Sequence, residues 1–194
     1  MKGADLSGIN LQKANLKDAD LSGANLKGAN LGEANLWGAK LNQANLSHSD
    51  LKRADLSWAQ LNGATLAKTN LNGAKLTNAQ LIDADLFDAN FQWAQSVGAL
   101  FNQANLISVN FRGTNFTKAN LSRANLSYSD LRNINLSEVD LIGVRCNKVL
   151  VDEKWMEKLK QWQPTGVKEL QEGYSFVNDT FDSWKIPLYR LVKN

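Results

Sequence analysis

The chain has 194 residues, 43% hydrophobic and 21% charged, with a net charge of +3. That is enough material for one ordinary domain with a core. The charge is too small for a nucleic-acid-binding stripe and has the wrong sign for an acidic imitation of DNA. Its one cysteine, Cys146, excludes an internal disulfide framework and a thiolate metal cluster.

The opening "MKGADLSGIN" has no apolar stretch of the kind a signal peptide needs, and no run of about 18 apolar residues follows anywhere. A cytoplasmic location without membrane contact is the expectation, with a processed exported form as the other option. From Leu6 onward a large residue recurs every fifth position. Of the 28 such centres up to Leu141, 23 are Leu and four are Phe (Phe91, Phe101, Phe111, Phe116); only Ser96 departs. Two residues before each centre, 20 of the 29 positions from Ala4 to Val144 are Ala. Asn or Asp usually lies between, as at Asn15, Asp20, Asn25 and Asn30.

A period of five fits neither an α-helix nor a continuous strand. Ala and Leu two apart point the same way on an extended backbone. The remaining two residues must then turn the chain, and Asn, Asp, Gly and Ser suit such corners. A chain that bends the same way every five residues winds into a coil. Stacked coils bury what no single coil can.

These repeats resemble the pentapeptide-repeat family, whose A-D/N-L-x-x motif matches residues 4 to about 148 in one register. The resemblance implies an all-β solenoid, a right-handed quadrilateral β-helix with four repeats per coil. Seven coils would give a rod on the order of 35 Å long at a strand spacing of about 4.8 Å. Residues 1–150 would form this body and 151–194 a small α or α+β cap. The core columns would be those of Leu6, Leu26, Leu46, Leu66, Leu86, Leu106 and Leu126. A near-uniform consensus of this kind is similar to family members abundant in cyanobacteria, some of which regulate through protein contacts.

Departures from the rule mark places of interest. Ser96 puts a hydroxyl where a Leu belongs, predicting a local bulge with the hydroxyl bonded to backbone, or a distortion that shapes a surface. Beyond residue 105 the Ala column thickens with Val109, Thr114, Ile134, Val139 and Val144. Ile82, Phe87, Trp93, Val97, Leu100 and Ile107 fall at outward positions and form an apolar belt near the fifth coil. Phe87 and Ile107, 20 apart, should stack. Trp37 and Trp58, 21 apart, should be neighbours on another face. Stacked amides such as Asn10, Asn30, Asp50 and Asn70 should bond along the rod.

After residue 148 the repeat stops. "DEKWMEKLKQWQPTG" predicts a helix over about 152–162, capped by Asp152 with Glu153 in its first turn, and ended by Pro164. Trp155, Met156, Leu159 and Trp162 share one face. Thr165 would start a short second helix through Leu170, with Gly173 near its end; "YSFVND" and "IPLYRLV" read as strands of a hairpin. This tail would cap the last coil, whereas the first coil would be an open edge.

Chemistry is sparse. His48 sits at an outward corner, Cys146 at a buried centre, and Asp83, Asp85 and Asp88 lie close enough in sequence to suggest a weak cation site. No P-loop, GxGxxG, HExxH or GxSxG pattern occurs. The expectation is a chain without catalytic residues, cofactor or metal that binds an unidentified protein partner, not nucleic acid or membrane, through its outer faces. Self-association through the open first coil or the apolar belt is a further expectation. The alternative is a DNA-mimic modulator of gyrase, as in the quinolone-resistance branch of the family. Residues 1–150 carry 15 Lys or Arg against 12 Asp or Glu, which opposes it.

Overall fold

The structure, a computed structural model, describes residues 1–181 and 187–194. Parallel bridges link residues 20 apart from Asp5↔Asn25 to Asp130↔Leu150. Four five-residue repeats therefore complete one coil, and every coil is hydrogen-bonded to the next. Each bridge uses two backbone bonds: Leu26 N–H donates to Asn45 O at 2.7 Å, and Asn45 N–H donates to Ala24 O at 2.9 Å.

Nearly every corner is a turn closed by an i to i+3 bond, as where Ala24 N–H donates to Leu21 O at 3.0 Å. The third residue of every such turn has positive φ, whether glycine or not; Lys13 is at 60° and Trp58 at 62°. A negative-φ residue followed by a positive one is type II geometry. The preceding Asn or Asp holds the corner from outside. Its side-chain oxygen accepts the N–H of the residue two further on, as Asn35 Oδ1 does from Trp37 at 3.1 Å and Asp50 Oδ1 from Lys52 at 3.0 Å. This local bond is the physical reason for the amide or carboxylate at that position. At Asp5 the Ser7 backbone N–H, and at Asp20 first the Ser22 hydroxyl and then its N–H, hold the carboxyl below its ordinary value.

On the side that begins with Asp20 the rule changes, because Lys40, Gln60 and Gln80 replace the Asx residue. There the corner N–H groups of Asn62 and Ile82 donate to the amide oxygens of Asn42 and Asn62, one coil earlier, at 3.0 Å each. The freed amide nitrogens donate to Gln60 and Gln80 at 3.2 Å. Elsewhere the amides bond along the rod, Asn70 donating to Asp50 at 2.9 Å and Asn105 to Asp85 at 2.8 Å.

The interior is a filled column. Every centre from Leu21 to Leu86 is fully buried, as is Leu106, and Leu126 is nearly so. Leu6 and Leu11 are only partly buried, because among the described residues coils pack on one side of them alone. Polar residues in the Ala column bond to centre carbonyls: the Ser49 and Thr69 hydroxyls both donate to Leu46 O, at 2.7 and 2.8 Å, and Thr114 donates to Phe91 O at 2.8 Å.

Ser96 corrects both expectations placed on it. Its N–H donates to Asn115 O at 2.8 Å, and the ladder passes through without a bulge. Its hydroxyl is fully buried with no hydrogen-bond partner among the described residues. Large rings gather around it instead. Phe91 and Phe101 flank it in its own coil, and Phe116 takes the equivalent place in the next. The Phe91–Phe101, Phe101–Phe116 and Phe111–Phe116 centroids are 6.1, 5.7 and 5.0 Å apart. The four phenyl groups are all fully buried around this small side chain.

The tail comprises β1 (Val149–Val151), α1 (Trp155–Trp162), α2 (Val167–Gly173), β2 (Tyr174–Phe181) and β3 (Pro187–Lys193). The strands form an antiparallel sheet in the order β1-β3-β2, and Leu150 of β1 also bridges Asp130 of the rod. Ile186, expected in the last strand, lies outside the described residues, as does the side chain of Met156.

Asp152 is not the cap of α1. The residue before the helix is Lys154, which makes no capping bond. The Asp152 carboxylate instead accepts the Asn133 N–H at 3.0 Å and the Lys158 ammonium at 2.9 Å, tying the tail to the last coil. Thr165 does not open the second helix either. It bridges Asp140, with its N–H on Val139 O and its carbonyl accepting from Leu141 N–H at 3.1 Å. The tail also supplies Trp162 O to Glu138 N–H and Leu191 O to Lys148 N–H. These carbonyls stand where an eighth coil would have put its own. Gly166 permits the approach: a Cβ there would sit 2.7 Å from the Leu141 carbonyl carbon. Trp155, Leu159 and Leu170 are buried, and Trp162 packs at the edge of the same core.

Candidate interaction surface

Outward positions repeat every 20 residues, so each side of the rod carries three rows. The Asn15 side has the rows of Lys13, Asn15 and Lys17. The Asp20 side has those of Asp18, Asp20 and Ser22. The other two sides follow in the same way.

Within this frame the six residues of the apolar belt spread over three sides. Phe87 and Ile107 share a row on the Asp5 side, where Asp88 N–H donates to Ile107 O at 3.0 Å. Trp93 and Val97 lie on the Asn15 side, Ile82 and Leu100 on the Asp20 side. Phe87 and Trp93 are exposed; Ile82, Val97, Leu100 and Ile107 are half-buried. Trp37, 38% exposed, and Trp58, 55% exposed, flank one corner in adjacent rows. Tyr128 and Ile142 are exposed as well, at outward corner positions beyond the belt that the same five-residue count locates.

Corner side chains lean toward the next coil. Lys17 Nζ stands 4.7 Å from the centre of the Trp37 ring. The Arg53 stem lies beside Gly73, and the Trp93 ring lies across Gly113, where a Cβ would be 2.2 Å from a ring carbon. Trp93 is thus seated flat on the wall by the glycine one coil ahead, while 57% exposed.

The site chemistry considered from sequence does not assemble. His48 is an exposed corner residue with φ 60°. Asp83, Asp85 and Asp88 fall in three rows, and no group of three His, Cys, Asp or Glu among the described residues could hold a metal ion. Cys146 is buried beside a void of about 10 Å³ walled by Phe116, Leu141, Trp155 and Leu170. That is room for about one water and for no substrate. Among the described residues no helix is long and apolar enough to cross a membrane.

A body of five-residue repeats closed into 20-residue coils by parallel bridges defines a repeat solenoid whose accessible chemistry lies on its walls. The model for pentapeptide repeats matches the chain in eight copies, over residues 1–38, 29–67, 66–103, 84–123 and 119–149, and the chain belongs to that family. Among solved structures it is similar to HetL, a pentapeptide repeat protein involved in heterocyst differentiation regulation from the cyanobacterium Nostoc sp. strain PCC 7120. Identity is 31% over 75% of this chain, with a TM-score of 0.58; the match spans 66% of HetL, just under two thirds of its length. A pentapeptide repeat protein of the Arabidopsis thaliana thylakoid lumen is 35% identical, over 54% of this chain and 70% of its own (TM-score 0.37). Rfr23 from the cyanobacterium Cyanothece 51142 is 25% identical, over 75% and 86% (TM-score 0.37). No curated protein matches the chain.

Proposed function

We propose that this chain is a non-catalytic protein-interaction module, a right-handed quadrilateral β-helical rod whose outer walls are read by a protein partner. One observation carries the reading: the interior column is filled, with Leu21 to Leu86 fully buried, while Trp37, Trp58, Phe87 and Trp93 stand exposed on a rigid wall. Exposed aromatics on pre-ordered backbone make contact area at little entropic cost. The likeness to HetL, a protein involved in regulation, supports a regulatory role exerted by contact.

Affinity capture with the wild-type chain against a Phe87→Ser/Trp93→Ser/Ile107→Ser variant tests the reading, with Trp37→Ser as a second bait. Wild type should retain a partner that at least one bait loses. Equal retention by every bait, or no partner for wild type, refutes it.

A further inference from the structure

One groove on the outer wall holds two cations that have no ion pair among the described residues. On the Asn15 side an open groove of about 440 Å³ is lined by Lys17, Glu33, Trp37, Arg53, Asp55 and Lys75. Three cations there face two carboxylates, and each carboxylate already has a lysine. Lys13 Nζ is 3.8 Å from Glu33, and Lys75 Nζ is 4.0 Å from Asp55. The Asp55 carboxylate also accepts the Ser57 N–H at 3.0 Å. Lys17 and Arg53 have no ion pair among the described residues, and both are exposed.

Their placement is not diffuse. Lys17 Nζ stands over the Trp37 ring at 4.7 Å, which holds that ammonium at the wall, and the Arg53 stem lies beside Gly73 with the residue exposed. Trp37, 38% exposed, is the large apolar member of the same lining. An arginine fork accepts a carboxylate through two parallel bonds, and a lysine supplies a point charge.

We propose that this groove docks an acidic segment of a protein partner, its carboxylates on Lys17 and Arg53 and an apolar side chain on Trp37. The proposal rests on the interaction reading above and specifies which wall the partner uses and what charge it brings. An acidic segment is drawn in by the net positive lining, and the Arg53 fork can take a carboxylate through two parallel bonds. A basic segment would meet two uncompensated cations.

A displayed library of random peptides panned against the whole chain tests it, the selected peptides then being titrated by fluorescence anisotropy. The groove should select peptides with Asp or Glu on either side of an aromatic or aliphatic residue. Their affinity should fall by about tenfold or more in Lys17→Glu/Arg53→Glu and weaken as salt is raised. It should be unchanged in Phe87→Ser/Ile107→Ser, on a different side. Basic or neutral peptides, or affinity indifferent to Lys17 and Arg53, overturn the proposal. So does single-stranded oligothymidine bound more tightly than any peptide with the same dependence. Peptides that depend on Phe87 and Ile107 overturn the groove but leave the interaction reading standing. A panning that enriches nothing on any side counts against both.

Discussion

Removing one buried oxygen should make this protein more stable. Ser96 is fully buried, and its hydroxyl has no hydrogen-bond partner among the described residues. A buried hydroxyl left unpaired loses its bonds to water and gains none, a penalty of about 1–3 kcal/mol. Ser96→Ala removes that penalty and retains the Cβ, so the expected gain is about 1 kcal/mol after the lost packing of one atom. Ser96→Leu, which restores the consensus of the repeat, should do the opposite. Phe91 and Phe101, 6.1 Å apart, and Phe116, 5.7 Å from Phe101, already occupy the space. Overpacking of that kind destabilises by about 1–3 kcal/mol. Adding Phe101→Leu and Phe116→Leu to Ser96→Leu should recover much of the loss, because residues in contact are not additive. Denaturant titration read as the shift in midpoint at constant slope measures each variant, provided single-step unfolding is first verified for a repeat array. A destabilised Ser96→Ala would mean the hydroxyl has a partner such as a water. A stabilised Ser96→Leu would mean the rings leave a hole. Either result refutes the account of this site.

Gly113→Ala should unseat Trp93, since the new Cβ would lie 2.2 Å from the ring and would also impose φ 75° on alanine. The loss should be about 1–2 kcal/mol, and Gly113→Ala should red-shift the tryptophan emission of the wild-type background but not of a Trp93→Phe background; no shift in the wild-type background refutes the seating. Arg132→Ala should cost about 1–2 kcal/mol, because its guanidinium makes two bonds to Asp130, at 2.6 and 2.9 Å, with both side chains mostly buried. Lys13→Ala, at the 3.8 Å pair with exposed Glu33, should change stability by less than about 0.5 kcal/mol; equal effects in thermal melts would refute the distinction. Deleting residues 152–194 leaves Glu138, Leu141 and Lys148 without the carbonyls of Trp162, Thr165 and Leu191. Light scattering should then show association through the bare end, and a soluble monomer would show that the tail is not needed as a cap.

The repeat was legible because its cause is local. Asn35 accepts the N–H of Trp37, two residues away, and Ala24 N–H closes a turn on Leu21, three away. Such bonds recur wherever the residue types recur, so a five-residue count carries the corner geometry with it. The tail was less legible because its bonds are distant. Nothing within a few residues of Asp152 says that its carboxylate will serve Asn133, and nothing near Thr165 says that it will pair with Asp140. Local capping rules placed both residues at helix starts, and long-range completion of the ladder placed them elsewhere. Ser96 failed in a third way. Local reasoning offered its hydroxyl a backbone partner, whereas the fold compensated its small size with rings from two coils.

The same separation of local and distant causes explains why the outer wall is the place to seek specificity. Backbone bonds of 2.7–2.9 Å fix Leu26 and Asn45 from coil to coil whatever stands outside. Corner residues are therefore free to vary without disturbing the Leu column, and the side that loses its Asx residues keeps its turns through Asn42 and Asn62. Yet outward side chains are not independent of one another, because many contact the residue 20 places away along their row. Lys17 rests on Trp37, and Trp93 rests on Gly113. A binding surface on such a rod is written in pairs along a row. The decisive substitution is as often the small residue that makes room as the large one that makes contact, which is why Gly113→Ala and Trp93→Ser should impair any partner contact at that wall to a similar extent. Loss with Trp93→Ser alone would show that the indole needs no prepared seat.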